Sequence, residues 1–492
     1  MGEGRLFAVV LAPLAAAALS LLLRRVPLGP PAVSVLAAAI QFSILLSLLP
    51  GTLSGLPAET AALPLAAGAS LRLRADALGL LFALVSSGLW AVTAVYAAGY
   101  LGATGEKRLG AFYAYLGVCL SAAAGIALSA GPLSFLVFYE ILTLATYPLV
   151  VFTGKPAAVA AGRKYLVYAL GAGQLLLVAT VWALWLAPGA EFTPGGFLAG
   201  RASPAALSAL FFLFAAAFAV KAAVMPLHGW LPSAMAAPVP VSALLHAVAV
   251  VKAGAFGFLR LTGFVFGPAL TGELGAGRVL AWAAAATIVI ASLRALGETN
   301  LKRRLAYSTI GQLSYIVLGA ALGSTAAFAA AAFHIAAHGL MKITLFFCAG
   351  GLYAHAHVED VSEMNGIGRR MPLTMGAFAL AALGLAGMPA LAGFLVKWNL
   401  GWGAADAGRP LFIAVLIVSA VLNFAYFFPI VHSAFFGKGG GNLRLEEPSA
   451  ALWGPPVLTA LGALAVGLFP DAGASLYRLA WAAARACAGG AP

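Results

Sequence analysis

This sequence predicts an all-α integral membrane protein of about 14 transmembrane helices, on three observations. Of its 492 residues, 63% are apolar and only 9% are charged, with a mean hydropathy of +1.00. Soluble domains run nearer roughly 45–50% apolar and about 25% charged. The apolar residues fall in runs long enough to cross a hydrocarbon core of about 30 Å, which takes roughly 20 residues of helix. The formal charge of +13 sorts between alternate loops as the positive-inside bias requires, so it implies a lipid bilayer and no nucleic acid.

In chain order the runs centre near residues 14, 40, 90, 120, 141, 175, 220, 251, 286, 313, 337, 388, 422 and 460. The first, Phe7 to Leu23, carries Arg24 and Arg25 behind it, the reverse of a secretory signal, and reads as a retained helix with an outward N-terminus. Alternating sides from there puts fifteen of the 28 basic residues in inside loops: Arg24, Arg25, Lys107, Arg108, Lys155, Arg163, Lys164, Arg294, Lys302, Arg303, Arg304, Arg369, Arg370, Lys438 and Arg444. Nine fall outside or at outer helix ends: Arg5, Arg72, Arg74, Arg201, Arg260, Arg278, Arg409, Arg478 and Arg485. The expectation is a multi-pass protein of the cell (inner or plasma) membrane with both termini outside. It forms one membrane domain over 1–492, divided into helices 1–3 (1–109), a core (110–436), and a C-terminal loop, helix 14 and short tail (437–492).

Four basic residues have no loop to occupy: Lys221, Lys252, Lys342 and Lys397. Glu140, within Phe135-Leu-Val-Phe-Tyr-Glu140-Ile-Leu-Thr, is the one acid of fifteen that lies mid-helix. Each such charge costs about 2.5–3.5 kcal/mol at the bilayer centre, so five cost roughly 15 kcal/mol unless paired or hydrated. That rivals the net stability of a whole domain, about 5–15 kcal/mol. Charges so costly point to an ion or proton path, with structural ion pairs as the plainer alternative. His334, His338 and Lys342 follow at i, i+4 and i+8, on one helix face over about 12 Å of rise. Histidine titrates near neutrality and desolvated lysine can be brought toward it, so this stripe suits proton transfer. His246 and Lys252, at i and i+6, do not share a face and must meet different neighbours. His228 lies beside Pro226 and suits either inward access or a structural turn.

Two helices are expected to break. Pro226, in Lys221-Ala-Ala-Val-Met-Pro-Leu-His-Gly-Trp-Leu-Pro232, leaves the Ala222 carbonyl without a donor, and Gly387-Met-Pro389-Ala-Leu-Ala-Gly393 does the same for Leu385. Paired interruptions in the two halves of a hydrophobic chain point to an inverted-repeat transporter. Elsewhere signals are weak. His355-Ala-His357 with Glu359 and Asp360 reads as a solvated loop in preference to a metal cluster, and Gly437-Lys-Gly-Gly-Gly lacks the strand and ending of a phosphate loop. Cys119, Cys348 and Cys487 are far apart, with no CxxC, which argues against metal or redox cofactors. No nucleotide motif or catalytic triad supplies energy.

At Tyr139-Glu140-Ile-Leu-Thr-Leu-Ala-Thr-Tyr-Pro148, Lys221 to Pro232, Pro238-Val-Pro-Val-Ser-Ala-Leu-Leu-His246 to Lys252, Lys302 to Gln312, His334 to Lys342 and Gly393-Phe-Leu-Val-Lys397-Trp398, the chain resembles the antiporter-like subunits of Mrp-type cation/proton antiporters, respiratory complex I and membrane-bound hydrogenases. The resemblance spans roughly residues 70 to 440. It implies two inverted five-helix repeats, helices 4–8 and 9–13, with helices 7 and 12 broken, forming a proton-translocating core in 110–436. It also implies a path in which Glu140 partners Lys221, Lys252 and His246 continue on helix 8, His334, His338 and Lys342 lie on helix 11, and Lys397 is the terminal exchanger. Lysine at 397 and the short C-terminus look most like the D subunit of an Mrp-type Na+/H+ antiporter or its hydrogenase counterpart, with the lysine-bearing subunit of complex I (NADH-quinone oxidoreductase) as the alternative. The implied partners are other membrane subunits, protons and Na+, with no redox centre in this chain. A stand-alone 14-helix transporter is disfavoured because residues 51–75 lack the Asp-Arg loop of the major facilitators. A haem protein is disfavoured because the histidines do not face in two pairs.

Overall fold

The computed structural model describes residues 2–66, 69–437 and 445–489; Lys438, Arg444 and most of the glycine connector after Gly437 lie outside the described residues. The helices are α1 (Gly2–Leu22), α2 (Gly29–Leu53), α3 (Ala77–Ala103), α4 (Leu109–Leu128), α5 (Pro132–Val150), α6 (Pro156–Leu186), α7 (Pro204–Lys221), α8 (Trp230–Ser233), α9 (Val239–Ala247), α10 (Val250–Arg260) and α11 (Gly267–Glu273). They continue as α12 (Ala276–Gly297), α13 (Leu301–Ala321), α14 (Thr325–Ala356), α15 (Ile367–Arg370), α16 (Pro372–Ala386), α17 (Ala392–Asp406), α18 (Leu411–Phe436), α19 (Ala450–Leu468) and α20 (Leu476–Cys487). Twelve spans among the described residues are long and apolar enough to cross a membrane. Each of the fourteen centres read from hydropathy falls in a helix or at a break. Prolines open α5, α6, α7 and α16 in the first turn, where their missing N–H costs nothing.

Each helix of the set α4, α5, α6, α7, α10 packs on the next, and the set α12, α13, α14, α16/α17, α18 repeats the order. The sets begin five crossings apart, so alternation starts them on opposite sides, which makes the repeats inverted. α14, 32 residues long, is almost wholly buried and touches helices of both sets together with α3, α19 and α20. Its glycines and alanines let neighbours approach closely.

Both expected breaks are present. α7 stops at Lys221, Ala223 takes φ +56°, and the indole Nε1 of Trp230 donates to the Val220 carbonyl at 2.7 Å. α16 stops at Ala386, and Gly387 and Ala390 take φ +96° and +69° before α17 begins. A third break, between α9 and α10 at Val248 and Ala249, has no proline or glycine to announce it. The same crossing ends in a π-helical stretch, Leu261–Val265. The short tail expected after helix 14 folds into α20, which packs on α14 and α3. A two-stranded antiparallel hairpin, β1 (Leu63–Ala66) and β2 (Ala69–Leu71), links α2 to α3.

Candidate functional site: a buried polar axis

The charged residues that hydropathy left without a loop lie along the middle of the helix bundle. Lys221 ends α7 with no exposure, because the helix break sets its ammonium against α5: Nζ donates to the Tyr139 carbonyl at 2.8 Å and lies 3.2 Å from the Tyr139 ring centroid. Glu140 is next in sequence, yet its carboxylate is not within ion-pair distance of Lys221. It turns toward α6, where Gly173 leaves it room: a Cβ there would overlap Glu140 Oε1. Oε1 is buried without a hydrogen-bond partner, and Glu140 and Lys221 remain near enough to interact electrostatically. The pair expected from the sequence is thus adjacent but open.

Gly254 lets α10 close onto this break, since a Cβ would overlap the Ala222 amide. Lys252, one half-turn earlier on α10, is fully buried and its Nζ has no partner. Its charge bears on both His334 and His338 of α14, whose rings are 5.5 Å apart. His246, on α9, lies 4.6 Å from the Phe346 ring and feels Lys342, so it and Lys252 look to different groups; the break at Val248 and Ala249 puts them on separate helices, so the i, i+6 spacing expected on one helix does not apply. Lys342 donates to the Leu305 carbonyl of α13 at 3.1 Å and feeds its charge onto His338 as well. Thus the i, i+4, i+8 stripe forms one edge of the axis.

Lys397 of α17 closes the far end. Its Nζ donates to the carbonyls of Leu385 and Ala386 at 2.7 and 2.6 Å, so the lysine after the second break caps the helix before it. It is half-buried and lies at the edge of an apolar cleft of about 450 Å³ between α17 and α18. Among the described residues no carboxylate lies within ion-pair distance of Lys221, Lys252, Lys342 or Lys397. His228 sits outside this line at the first break, with Nδ1 3.2 Å from the Pro226 carbonyl. His357 ends α14 with φ +56°, while Glu359 and Asp360 serve backbone contacts.

One charge assigned to an outer helix end is buried. Arg260, taken as an outer helix end, is 1% exposed and forms a double hydrogen bond, 2.6 and 3.0 Å, with Asp76 at the start of α3. The rings of Phe192, Phe256 and Phe264 surround its guanidinium at 4.7–5.0 Å. The signal was there: Phe256-Gly-Phe-Leu-Arg260-Leu-Thr-Gly-Phe-Val265 is apolar on both sides of the arginine. On the same side Arg72 and Arg74 share Glu59 and Glu191, tying the loop after α2 to the loop after α6.

A polytopic helical bundle with paired broken helices and a central line of lysines and histidines without a carboxylate in contact among the described residues has the architecture of the antiporter-like class of membrane proteins. Comparison with known proteins agrees. Residues 130–423 match the family model described as NADH:quinone oxidoreductase/Mrp antiporter, TM, and the chain belongs to this family. It is 36% identical over 418 residues to "NADH-quinone oxidoreductase subunit N" of Desulforudis audaxviator (strain MP104C), covering 80% of each chain. It is 29% identical over 441 residues to "Na(+)/H(+) antiporter subunit A1" of Staphylococcus aureus (strain JH9); this covers 82% of this chain but only 53% of that longer protein. In fold it matches a chain of the Mrp complex from Dietzia sp. DQ12-45-1b, with TM-score 0.85 at 23% identity, covering 98% of this chain and 97% of the other. A chain of the membrane-bound sulfane sulfur reductase, an archaeal respiratory membrane complex, matches with TM-score 0.84 at 24% identity, covering 98% and 97%. The protein is an antiporter-like membrane subunit of the Mrp and complex I type, and its relatives are subunits of multisubunit membrane complexes.

Proposed function

We propose that this chain moves protons along the line Glu140, Lys221, Lys252, His334 and His338, and Lys397, with His246 and Lys342 as a branch, inside a larger membrane complex. The observation that carries this reading is the run of ionisable side chains, buried on α7, α10 and α14 and half-buried on α5 and α17, that lack a counter-charge in contact among the described residues. Such groups are tolerated in a bilayer where their proton can leave or water can reach them. Lys397 closes one end by capping a broken helix beside an open cleft, and Glu140 with Lys221 closes the other.

Two assemblies suit the chain. The 36% relative, matched over most of both chains, favours a subunit of the quinone oxidoreductase kind, in keeping with lysine at 397. The D subunit of an Mrp-type Na+/H+ antiporter, the reading the sequence motifs favour, is supported by the antiporter relative and by the shared fold. Purification from native membranes with the neighbouring subunits decides between them: a quinone-reducing module supports the first, and six antiporter subunits support the second. Proton transport in that complex tests the reading itself. Lys397→Ala should stop turnover while the complex assembles, and near-normal transport would remove this residue from the path.

A further inference from the structure

A second set of polar side chains leaves the axis between α13 and α18. Tyr315 of α13 meets the His334 ring edge-on at 5.7 Å, and its own ring centroid is 5.8 Å from Lys397 Nζ. Its hydroxyl donates to Ser419 Oγ of α18 at 2.7 Å. One turn along α18 is Asn423, and beyond it Tyr426, whose hydroxyl lies against Asn423 Oδ1 and 2.8 Å from Ser308 Oγ of α13. Ser308 precedes Tyr315 by two helical turns, about 10 Å of rise. All five side chains are 2% exposed or less. The Tyr426 carbonyl accepts from Arg304 Nη1 at 3.0 Å, which brings the set to the first turn of α13, with Lys302, Arg303 and Arg304.

Hydroxyls in membrane helices ordinarily bond the carbonyl four residues back, and Thr309 and Ser314 on the same helix do so. Ser308, Tyr315, Ser419 and Tyr426 instead meet side chain to side chain across two helices. Between the two hydroxyl pairs, Asn423 Nδ2 is buried without a hydrogen-bond partner among the described residues, and the Asn423 side chain lies near enough to interact with the Tyr315 hydroxyl.

We propose that Ser308, Tyr426, Asn423, Ser419 and Tyr315 form a proton access route from the side of the first turn of α13, Lys302 to Arg304, to His334 and Lys397. The proposal rests on the proton-carrying reading above and adds where protons reach the axis. Once the Tyr426 and Tyr315 O–H bonds turn from Ser308 and Ser419 toward the axis, each hydroxyl takes one proton on a lone pair and releases its own, so a proton accepted at Ser308 leaves as a different proton from Tyr315. Only O–H bonds form and break, and the net change is one proton moved. Tyr426 has one proton for two acceptors, so its hydrogen bond can turn between Ser308 and Asn423. Asn423 holds the water that joins the two pairs, and a second water carries the proton from Tyr315 to Lys397.

The test is proton transport per assembled complex in sided native-membrane vesicles for Ser308→Thr, Ser308→Val, Tyr426→Phe and Lys397→Ala. Thr and Val have the same shape and differ by the hydroxyl. Ser308→Thr should stay near the wild-type rate, while Ser308→Val and Tyr426→Phe should fall by about tenfold or more, as for loss of a positioned proton-transfer group. Acidifying the Lys302 side, but not the opposite side, should restore part of the Ser308→Val rate, which a purely structural defect would not show. Equal rates for Ser308→Thr and Ser308→Val, or a wild-type rate for Tyr426→Phe, together with an inactive Lys397→Ala, would overturn the route and leave the proton-carrying reading standing. An active Lys397→Ala would overturn both.

Discussion

Replacing Lys221 by methionine removes the charge but keeps a flexible chain of similar length, and the structure indicates what that removal costs. The ammonium makes one charge-assisted hydrogen bond to the Tyr139 carbonyl, 2.8 Å, and lies 3.2 Å from that residue's ring centroid. Such a bond contributes about 1.5–3 kcal/mol and a desolvated cation–π contact about 2 kcal/mol. Against these stands the cost of holding an ammonium out of water with no counter-ion in contact, several kcal/mol even after relaxation. The gains and the cost are of the same size, so Lys221→Met should change folding stability little. If Lys221 carries protons, the same substitution should abolish transport. The assay is transport per assembled complex, with assembly read by native gel. Glu140→Gln should also stop transport, and the double mutant should be no worse than either single if the two side chains act as one unit. Transport near the wild-type rate in Lys221→Met, or a loss that merely follows lost assembly, would refute the reasoning; multiplying losses in the double mutant would show that the residues act separately.

Gly173→Ala places a methyl group on the Glu140 carboxylate, so Glu140 must swing away. A flexible side chain can do this for about 1–3 kcal/mol, and transport should change as it does in Glu140→Gln while assembly persists; unchanged transport would show that the carboxylate's position is unimportant. Arg260→Met and Asp76→Asn each leave a largely buried partner alone and should destabilise by about 3–5 kcal/mol in thermal denaturation of the purified complex. The double Arg260→Met/Asp76→Leu should recover part of this, and strictly additive losses would argue against a coupled pair. Single cysteines at positions 3 and 302 should react with an impermeant thiol reagent from outside and inside respectively, against a low background from the buried Cys119, Cys348 and Cys487; the opposite labelling reverses the topology. The isolated subunit in vesicles should not move protons uphill, because each proton needs about 2.3 kcal/mol per 100 mV and the chain has no visible energy source of its own; sustained uphill transport with no second gradient would contradict this.

What the sequence determined by itself was everything that depends on neighbours within a few turns. Hydropathy pointed to about fourteen crossings, and each centre falls in a helix or at a break because a span must be apolar over its own length; twelve of the described helices are long and apolar enough to cross by themselves. Pro226, and Gly387 with Pro389, announced two breaks because a missing N–H or a left-handed residue interrupts the helix where it stands. The i, i+4, i+8 stripe of His334, His338 and Lys342 was visible because helical period alone puts those side chains on one face. Tertiary structure decided which groups meet, by helix packing or by side chains reaching between helices that do not pack closely. Glu140 and Lys221 are 81 residues apart in sequence, and only the room left by Gly173 on α6 shows why the carboxylate turns aside and the ammonium settles on the Tyr139 carbonyl. Arg260 and Asp76, 184 residues apart, could be paired only once α3 and α10 were packed together. The break at Val248 and Ala249 has no local cause in the sequence and lies where α9 and α10 are wholly enclosed by other helices. Tyr315 with Ser419, and Tyr426 with Ser308, were invisible for the same reason: a hydroxyl in an apolar helix can bond its own backbone, and only the fold, which sets α13 and α18 within reach of each other's side chains, turns these four toward one another.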